Sequence, residues 1–539
     1  MARRLLVLTT ALFALSAPSA STATICVPSG TGCHQTSPTL QGAINAADAL
    51  PGRDTIRINA GNLTENADVG ATNLVDIVGA GRGEDGTILR SPDSWFALRI
   101  ESPGSTVSNL RVIIEDQPSV MFERGLDLSV QGVIADGITV LGEAGINNAT
   151  GVQVRTGAIL RNSLVEVPND LANDAVRVAP STSIENVTAS GASMVSAQDP
   201  GLPTVIRRLR SSRPSTRGIY VRGDAHVDIS DALIRVSGGS SGGGLRAETA
   251  SGSPSIVARH VTVVGTGDSA DAGRGAYASG YSAAQTAAID VRDSIFHALS
   301  TDLEVEASSG GRARIGVGHS NLDPAKVLDS GAGDAEVNVG AANLLVNPGF
   351  VDAAALDFRL RSDSALIDRG FPGQGSTADL DGAPRPNDGN GDGVAVRDIG
   401  AFEFQRPSAP SPTADTSAPL FRILSKGLRL DRRGRVAVVL RGPANETAAS
   451  SGSVRLRTVR RLRASAAPRR HRIALGRKSF SLMPSARTVV RVKLSRKNLR
   501  RVRALRRLRV VLAVMARDAA GNSRTARKNV SLRAARTRR

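Results

Sequence analysis

Short runs in which apolar and polar residues alternate recur along most of the chain. The plainest is Gly151–Val165, GVQVRTGAILRNSLV. Gly151-Val152-Gln153-Val154-Arg155 has the period of two expected of a strand, whose successive side chains point to opposite faces. About ten residues later, Ile159–Val165 forms two short apolar pieces hinged at Asn162. Asn tolerates the left-handed backbone conformation, so it suits a sharp bend between strands.

The strand half returns around Leu98, Leu126, Val152, Val176, Ile219, Leu245, Ala276 and Leu303. The bend returns at Asn109, Asp136, Asn162, Asn186, Asp231, His260, Asp293 and His319. Successive strands lie 24 to 31 residues apart, except for one interval of 43. That interval predicts a further coil with its bend near Arg208. About nine coils result, each burying its inward residues only against the coils above and below. The pairs Leu126/Leu128, Val152/Val154, Ile219/Val221 and Leu303/Val305 predict the dry core. Irregular coil lengths and missing hairpin turns argue against a propeller or a sandwich here.

The start of the repeats has its own pattern. Leu40–Leu50 puts Leu40, Ile44 and Ala47 on one helical face, and Pro51-Gly52 ends it. A strand at Asp54–Asn59 and the apolar run Leu74–Val78 follow, closed by the turn Gly79-Ala-Gly-Arg-Gly83. A capping helix, a strand and an apolar strand ending in Gly-x-Gly resemble the opening of pectate-lyase-like proteins. The resemblance implies an all-β fold over residues 24–405, a right-handed parallel β-helix of about nine or more coils with an N-terminal capping helix. At its end come Asn347-Pro-Gly-Phe-Val-Asp352, Asp357–Gly370, Asp379–Pro386 and Asp398-Ile-Gly-Ala-Phe-Glu403. These resemble the closing module of bacterial surface proteins called choice-of-anchor Q, which implies an exported β-helix and no particular activity.

Beyond this point the pattern changes. Residues 406–419 form a Pro/Ser/Ala linker. Seven alternating runs follow, Phe421–Leu430, Arg435–Leu440, Ser453–Thr458, His471–Ser481, Thr488–Leu494, Leu508–Met515 and Asn529–Leu532. They predict a C-terminal antiparallel β-sandwich over residues 420–539. The turn Ala516-Arg-Asp-Ala-Ala-Gly-Asn522 resembles those of bacterial Ig-like and fibronectin-III-like modules. Leu499, Val502, Leu505 and Leu508 recur every three residues, as in a short crossover helix or a membrane-surface helix.

Charge separates the two parts. Residues 407–539 hold 36 Lys and Arg against 4 Asp and Glu, a net of +32, which leaves −13 on residues 1–406. A strongly basic domain must meet anions. Residues 1–23 read as a secretory signal peptide: a basic start, an apolar run Leu5–Leu15 too short to span a bilayer, then small residues. No later apolar run is long enough to span a membrane. A secreted or cell-surface location follows, and in that setting Cys26 and Cys33 predict a disulfide. The expected partners are an anionic polysaccharide or cell-wall polymer and an anionic membrane surface; nucleic acid is not expected of an exported chain lacking interleaved aromatics.

Outward positions of the first strand class form a stripe, Asp127, Gln153, Arg177, Tyr220, Arg246, Tyr277 and Glu304, with a parallel stripe of Ser129, Arg155, Arg222, Glu248, Ser279 and Glu306. In pectate-lyase-like enzymes the sugar chain lies over this strand class, so the stripe is the candidate ligand groove. Tyr and Arg combine apolar area with polar tips. Arg213-Pro-Ser-Thr-Arg217 resembles the Arg-x-Pro-x-x-Arg motif of pectate lyases, but Ser212 stands at its first position. Trp-Ile-Asp-His, Gly-His-Gly and Arg-Ile-Lys stretches are absent, and no catalytic residue is assigned. Asp388-Gly-Asn-Gly-Asp-Gly393 matches the first half of an EF-hand-type loop. Asp388, Asn390, Asp392 and Asp398 are the expected ligands of a structural Ca²⁺. The leading expectation is a non-catalytic surface protein that binds polysaccharide. The alternative is a polysaccharide lyase or glycoside hydrolase working in the groove.

Overall fold

The computed structural model describes residues 22–70, 74–91, 95–116, 122–169, 172–239, 242–249, 252–266, 272–331, 333–373, 375–406, 415–460 and 471–534. The expected signal peptide, except Thr22 and Ala23, and most of the expected linker lie outside the described residues. The chain divides into two compact units, Met1–Arg406 and Pro407–Arg539. Among the described residues, no helix is long and apolar enough to cross a membrane.

The first unit is a right-handed parallel β-helix. One face of every coil joins an eleven-stranded parallel sheet that runs from Ala67–Val69 to Val327–Gly331. Its register stacks Ala67, Leu98, Leu126, Val152, Val176, Val195, Ile219, Leu245, Ala276, Leu303 and Val327 directly over one another. All but Val327 are buried. Stacked strands sit about 4.8 Å apart, so like meets like along this column and the interior stays dry. The long interval hides the strand Ser193–Ala197, and Arg208 has φ 55°, as its bend requires. Two strands beyond the nine inferred from sequence, Ala67–Val69 and Val327–Gly331, complete the two ends.

The remaining faces of the coils form a twenty-stranded sheet folded at the bends. Asn109, Asn162, Asn186, Asp231, His260, Asp293 and His319 take φ between 50° and 55°. The coil of Asp136 is different: Gly137, with φ 66°, makes the bend, because a glycine enters this region at no steric cost. Asp136 serves the neighbouring bend instead, accepting from Asn162 Nδ2 at 2.9 Å, and Asn186 Nδ2 donates to Asn162 Oδ1 at 2.8 Å. The recurrent glycine that opens the phrase has a packing cause. A Cβ at Gly125, Gly151, Gly218, Gly244 or Gly275 would lie 2.3–2.8 Å from a carbonyl oxygen of the next coil.

At the N-terminus, the helix Leu40–Asp48 is capped by Thr39 Oγ1 accepting from Gly42 N, and it buries Leu40, Ala43, Ile44 and Ala47. The Cys26–Cys33 disulfide, with Cα atoms 5.9 Å apart, closes the first turn of chain.

The segment Phe350–Phe404 does not sit as a lid on the last coil. Asp334–Val339, the last strand of the folded sheet, stays largely exposed, and its charges Asp334 and Glu336 face Arg314 at 2.6 and 3.3 Å. Charged edges of this kind resist unwanted pairing. The segment instead doubles back along the flank of the coils. There Phe350, Phe358, Leu366, Ile399 and Phe402 share a second core with Leu233, Val264 and Ile295. Arg385 pins it: its buried guanidinium reaches Asp231 at 2.9 Å, Glu403 at 2.8 Å and the Gly400 carbonyl at 3.0 Å.

The C-terminal unit has two sheets around one core, a three-stranded sheet and a five-stranded sheet. All neighbours pair antiparallel except Leu428–Arg429, which runs parallel to Ser523–Arg533. The first predicted run splits into Arg422–Ile423 and Leu428–Arg429, one on each sheet. The helix spans Arg496–Leu505 and buries Asn498 and Val502, while Leu508 belongs to the next strand.

Replacing Arg385 by Met should leave Asp231 and Glu403 buried without their cation and cost about 3–5 kcal/mol, read as a lower unfolding midpoint. Adding Asp231→Asn should recover part of the loss. Burial, and then the neighbouring Glu403, push the Asp398 carboxyl up to about 8. An acid raised on folding stabilises fully below its unfolded value and loses that contribution as pH rises through the folded one. Melting temperature should therefore fall between about pH 4 and 8, and Asp398→Asn should flatten that slope.

Candidate functional site

The outward face of the eleven-stranded sheet carries the predicted stripe, Asp127, Gln153, Arg177, Tyr220, Arg246, Tyr277 and Glu304, in one register, with Ser196 of the hidden strand completing it between Arg177 and Tyr220. The side chains point away from the core, as the alternation requires, but several are not solvated. Asp127, Gln153, Tyr220, Tyr277 and Glu304 are buried. Long side chains from adjacent coils, only about 4.8 Å away, lie across them.

The central part is a stack of guanidinium groups, phenol rings and carboxylates. Arg217, Arg222 and Arg246 place Cζ 4.5, 5.0 and 5.6 Å from the Tyr220 ring centre. Arg274 and Arg246 stand 4.3 and 5.1 Å from that of Tyr277. These are cation–π distances, and partial burial strengthens them. The phenols are donors: Tyr220 to Glu248 at 2.7 Å, and Tyr277 to Glu306, which also accepts from Tyr281 at 3.2 Å. Glu304 pairs with Arg274 at 2.6 Å. Burial, and then the hydrogen bond to its glutamate, raises both the Tyr220 and the Tyr277 phenol above the ordinary range. A phenol held neutral donates a hydrogen bond well and serves poorly as a base near neutral pH. Arg217, the residue of the lyase-like motif, is committed to this stack.

Toward the N-terminal coils the face opens. Asp127 is clamped by Arg155 through Nε and Nη2 at 3.1 and 3.2 Å, and by Arg124 at 3.1 Å. Arg177 pairs with Asp174 at 2.7 Å, and Ser196 donates to the same carboxylate at 2.8 Å. An open cleft of about 590 Å³ lies beside this clamp, lined by Trp95, Phe96, Arg99, Glu101, Arg124, Asp127, Ser129 and Arg155. Trp95, the chain's one tryptophan, is 59% exposed and stands 6.4 Å from Phe122, ring centre to ring centre; Phe122 is 42% exposed. Arg99 covers the Phe96 ring at 4.7 Å and meets Asp68 and Glu101. Sequence alternation could not find Trp95, Phe96 and Phe122, because they lie in connections between coils, outside the repeat. Their signal was rarity: exposed aromatic area in a chain that is 3% aromatic.

The loop expected to hold calcium is built differently. Asp388 accepts from the N–H groups of Gly391 and Gly393 at 2.7 and 3.0 Å. Asn390 Oδ1 accepts from Asp392 N and Asp392 Oδ1 from Val394 N, each at 2.8 Å. Asp398 is buried and accepts from Asp368 N and Phe404 N at 2.7 and 2.5 Å. Asp388, Asp392 and Asp398 do not bring their carboxylates together into a group that could share one ion. The side-chain oxygens of Asp388, Asn390 and Asp392 accept from the loop's own backbone N–H groups.

The tyrosine geometry has a spectroscopic consequence. In an ultraviolet pH titration of the folded protein, Tyr220→Phe and Tyr277→Phe should each remove one late-ionising phenol. Ionisation of either phenol in the ordinary tyrosine range while the protein stays folded would contradict the buried stack.

No protein-family model matches the chain, and no curated protein matches it. Among solved structures, it is similar to the enzymatically active domain of tailspike protein 4 from bacteriophage CBA120, at 7% identity and a TM-score of 0.32. The match covers 85% of this chain and 64% of that one. A likeness this distant carries no residue roles across.

Proposed function

We propose that this is an exported, non-catalytic β-helix protein that binds polysaccharide over the cleft at Trp95. The observation that carries this reading is the exposed Trp95–Phe122 pair beside the Arg155–Asp127–Arg124 clamp. Aromatic rings give a sugar ring apolar area, and the clamp's outer edges offer hydrogen bonds in fixed directions. The charges lining the cleft nearly balance, Arg99, Arg124 and Arg155 against Glu101 and Asp127. The polymer taken there therefore needs hydroxyl groups more than negative charge. The non-catalytic reading rests on the tyrosine stack, where each carboxylate already serves an arginine or a phenol and the phenols are held neutral.

The basic C-terminal unit is the attachment module in this reading. Its net +32 is suited to an anionic wall polymer or an anionic membrane surface. Its two sheets around one core support an Ig-like assignment. The flank-packed segment around Arg385 is read as a closing module of the choice-of-anchor Q type, and residues 1–23 as the export signal.

On a glycan array, Trp95→Ala and Arg155→Ala should each weaken binding about tenfold or more, the loss typical of a central anchor. The same glycans should yield neither unsaturated products nor new reducing ends. Turnover abolished by Tyr277→Phe would replace this reading with a catalytic one.

A further inference from the structure

The C-terminal unit contains only four acidic residues, Asp415, Asp431, Glu446 and Asp518, among 36 Lys and Arg. In such surroundings each carboxylate should find an arginine. Asp431 does, meeting Arg435 at 3.4 Å. Among the described residues, the other three make no ion pair with a cation. They meet each other: one oxygen from each of Asp415, Glu446 and Asp518 lies within 4.8 Å of the others.

Three separate stretches bring them together. Asp518 opens the tight loop between the strands Arg507–Arg517 and Ser523–Arg533, and its Oδ1 accepts from Asn522 N at 2.8 Å. Asn522 Nδ2 donates to the Asp415 carbonyl at 2.5 Å, which fixes the entering chain against this loop. Asn445 holds the third stretch, accepting from Leu420 N at 2.8 Å and donating to Glu446 Oε1 at 3.1 Å. Asp518 is 8% exposed, and its Oδ2 is buried without a donor. A buried carboxylate oxygen with no partner is costly, and two more carboxylates beside it raise the cost.

We propose that Asp415, Glu446 and Asp518 form a divalent-cation site of the Ca²⁺ class. The donors are all hard carboxylate oxygens, with no His or Cys among them, which disfavours zinc. They come from loops of unequal burial, and Asp415 is exposed, leaving room for water ligands. That suits the larger, variable shell of Ca²⁺ better than the strict octahedron of Mg²⁺. A bound ion would supply the missing partner of Asp518 Oδ2 and tie the entering chain to the unit.

The test is calorimetric titration of the full chain, stripped of metal, with Ca²⁺ and with Mg²⁺. One Ca²⁺ should bind, more tightly than Mg²⁺. Asp518→Asn should weaken it roughly tenfold or more, because an amide can still accept from Asn522 N while one ligand charge is lost. Glu446→Gln should weaken it as well, and Asp392→Ala, in the other acidic loop, should leave it unchanged. Absence of Ca²⁺ binding to the unsubstituted chain, or binding untouched by both Asp518→Asn and Glu446→Gln in folded protein, would overturn the proposal.

Discussion

The structure depends on one constraint, the in-register stacking of an apolar column from Ala67 to Val327. Each coil alone buries almost nothing, and its stability comes from the coils above and below. The requirement reaches the backbone. Where successive coils approach most closely, glycines such as Gly218 and Gly244 leave no room for a Cβ. It also reaches the bends, where Asn162 and Asn186 are tied side chain to side chain from coil to coil.

The same stacking shapes the outer face. Strands held at a fixed short distance force long outward side chains against each other, so the tyrosines, arginines and carboxylates become a packed layer. A face whose polar groups are mutually satisfied has little capacity left for chemistry. The layer opens at the edge marked by Trp95 and Phe122, and the proposed recognition is placed there. The fold thus separates a self-satisfied centre around Tyr220 and Tyr277 from a more accessible cleft around Arg155.

Much of this was legible in the sequence. The period of two fixed which residues of Thr150–Val154 face inward, and a single long interval was enough to place the bend at Arg208. The misplaced bend at Asp136 arose because its neighbour Gly137 enters the left-handed region more easily. Alternation tells which side a residue faces and not whether neighbours cover it, so the burial of Asp127 and Tyr277 could not be read. Side-on packing of the segment around Arg385 was also hidden. Its decisive contact joins Arg385 to Asp231, 154 residues earlier, and nothing periodic announces such a pair. The burial of Asp398 was hidden for the same reason: its hydrogen bonds from Asp368 N and Phe404 N join segments 30 and 6 residues away.

Because Trp95 is the chain's single tryptophan, its fluorescence reports directly on the proposed cleft. Titration of the full chain with neutral and acidic polysaccharides, while following that emission, is the most direct test of the central claim. The account predicts a saturable change in intensity or wavelength for at least one polymer, abolished by Arg155→Ala. Polysaccharide binding detected by another method, with Trp95 emission unchanged throughout, would contradict it.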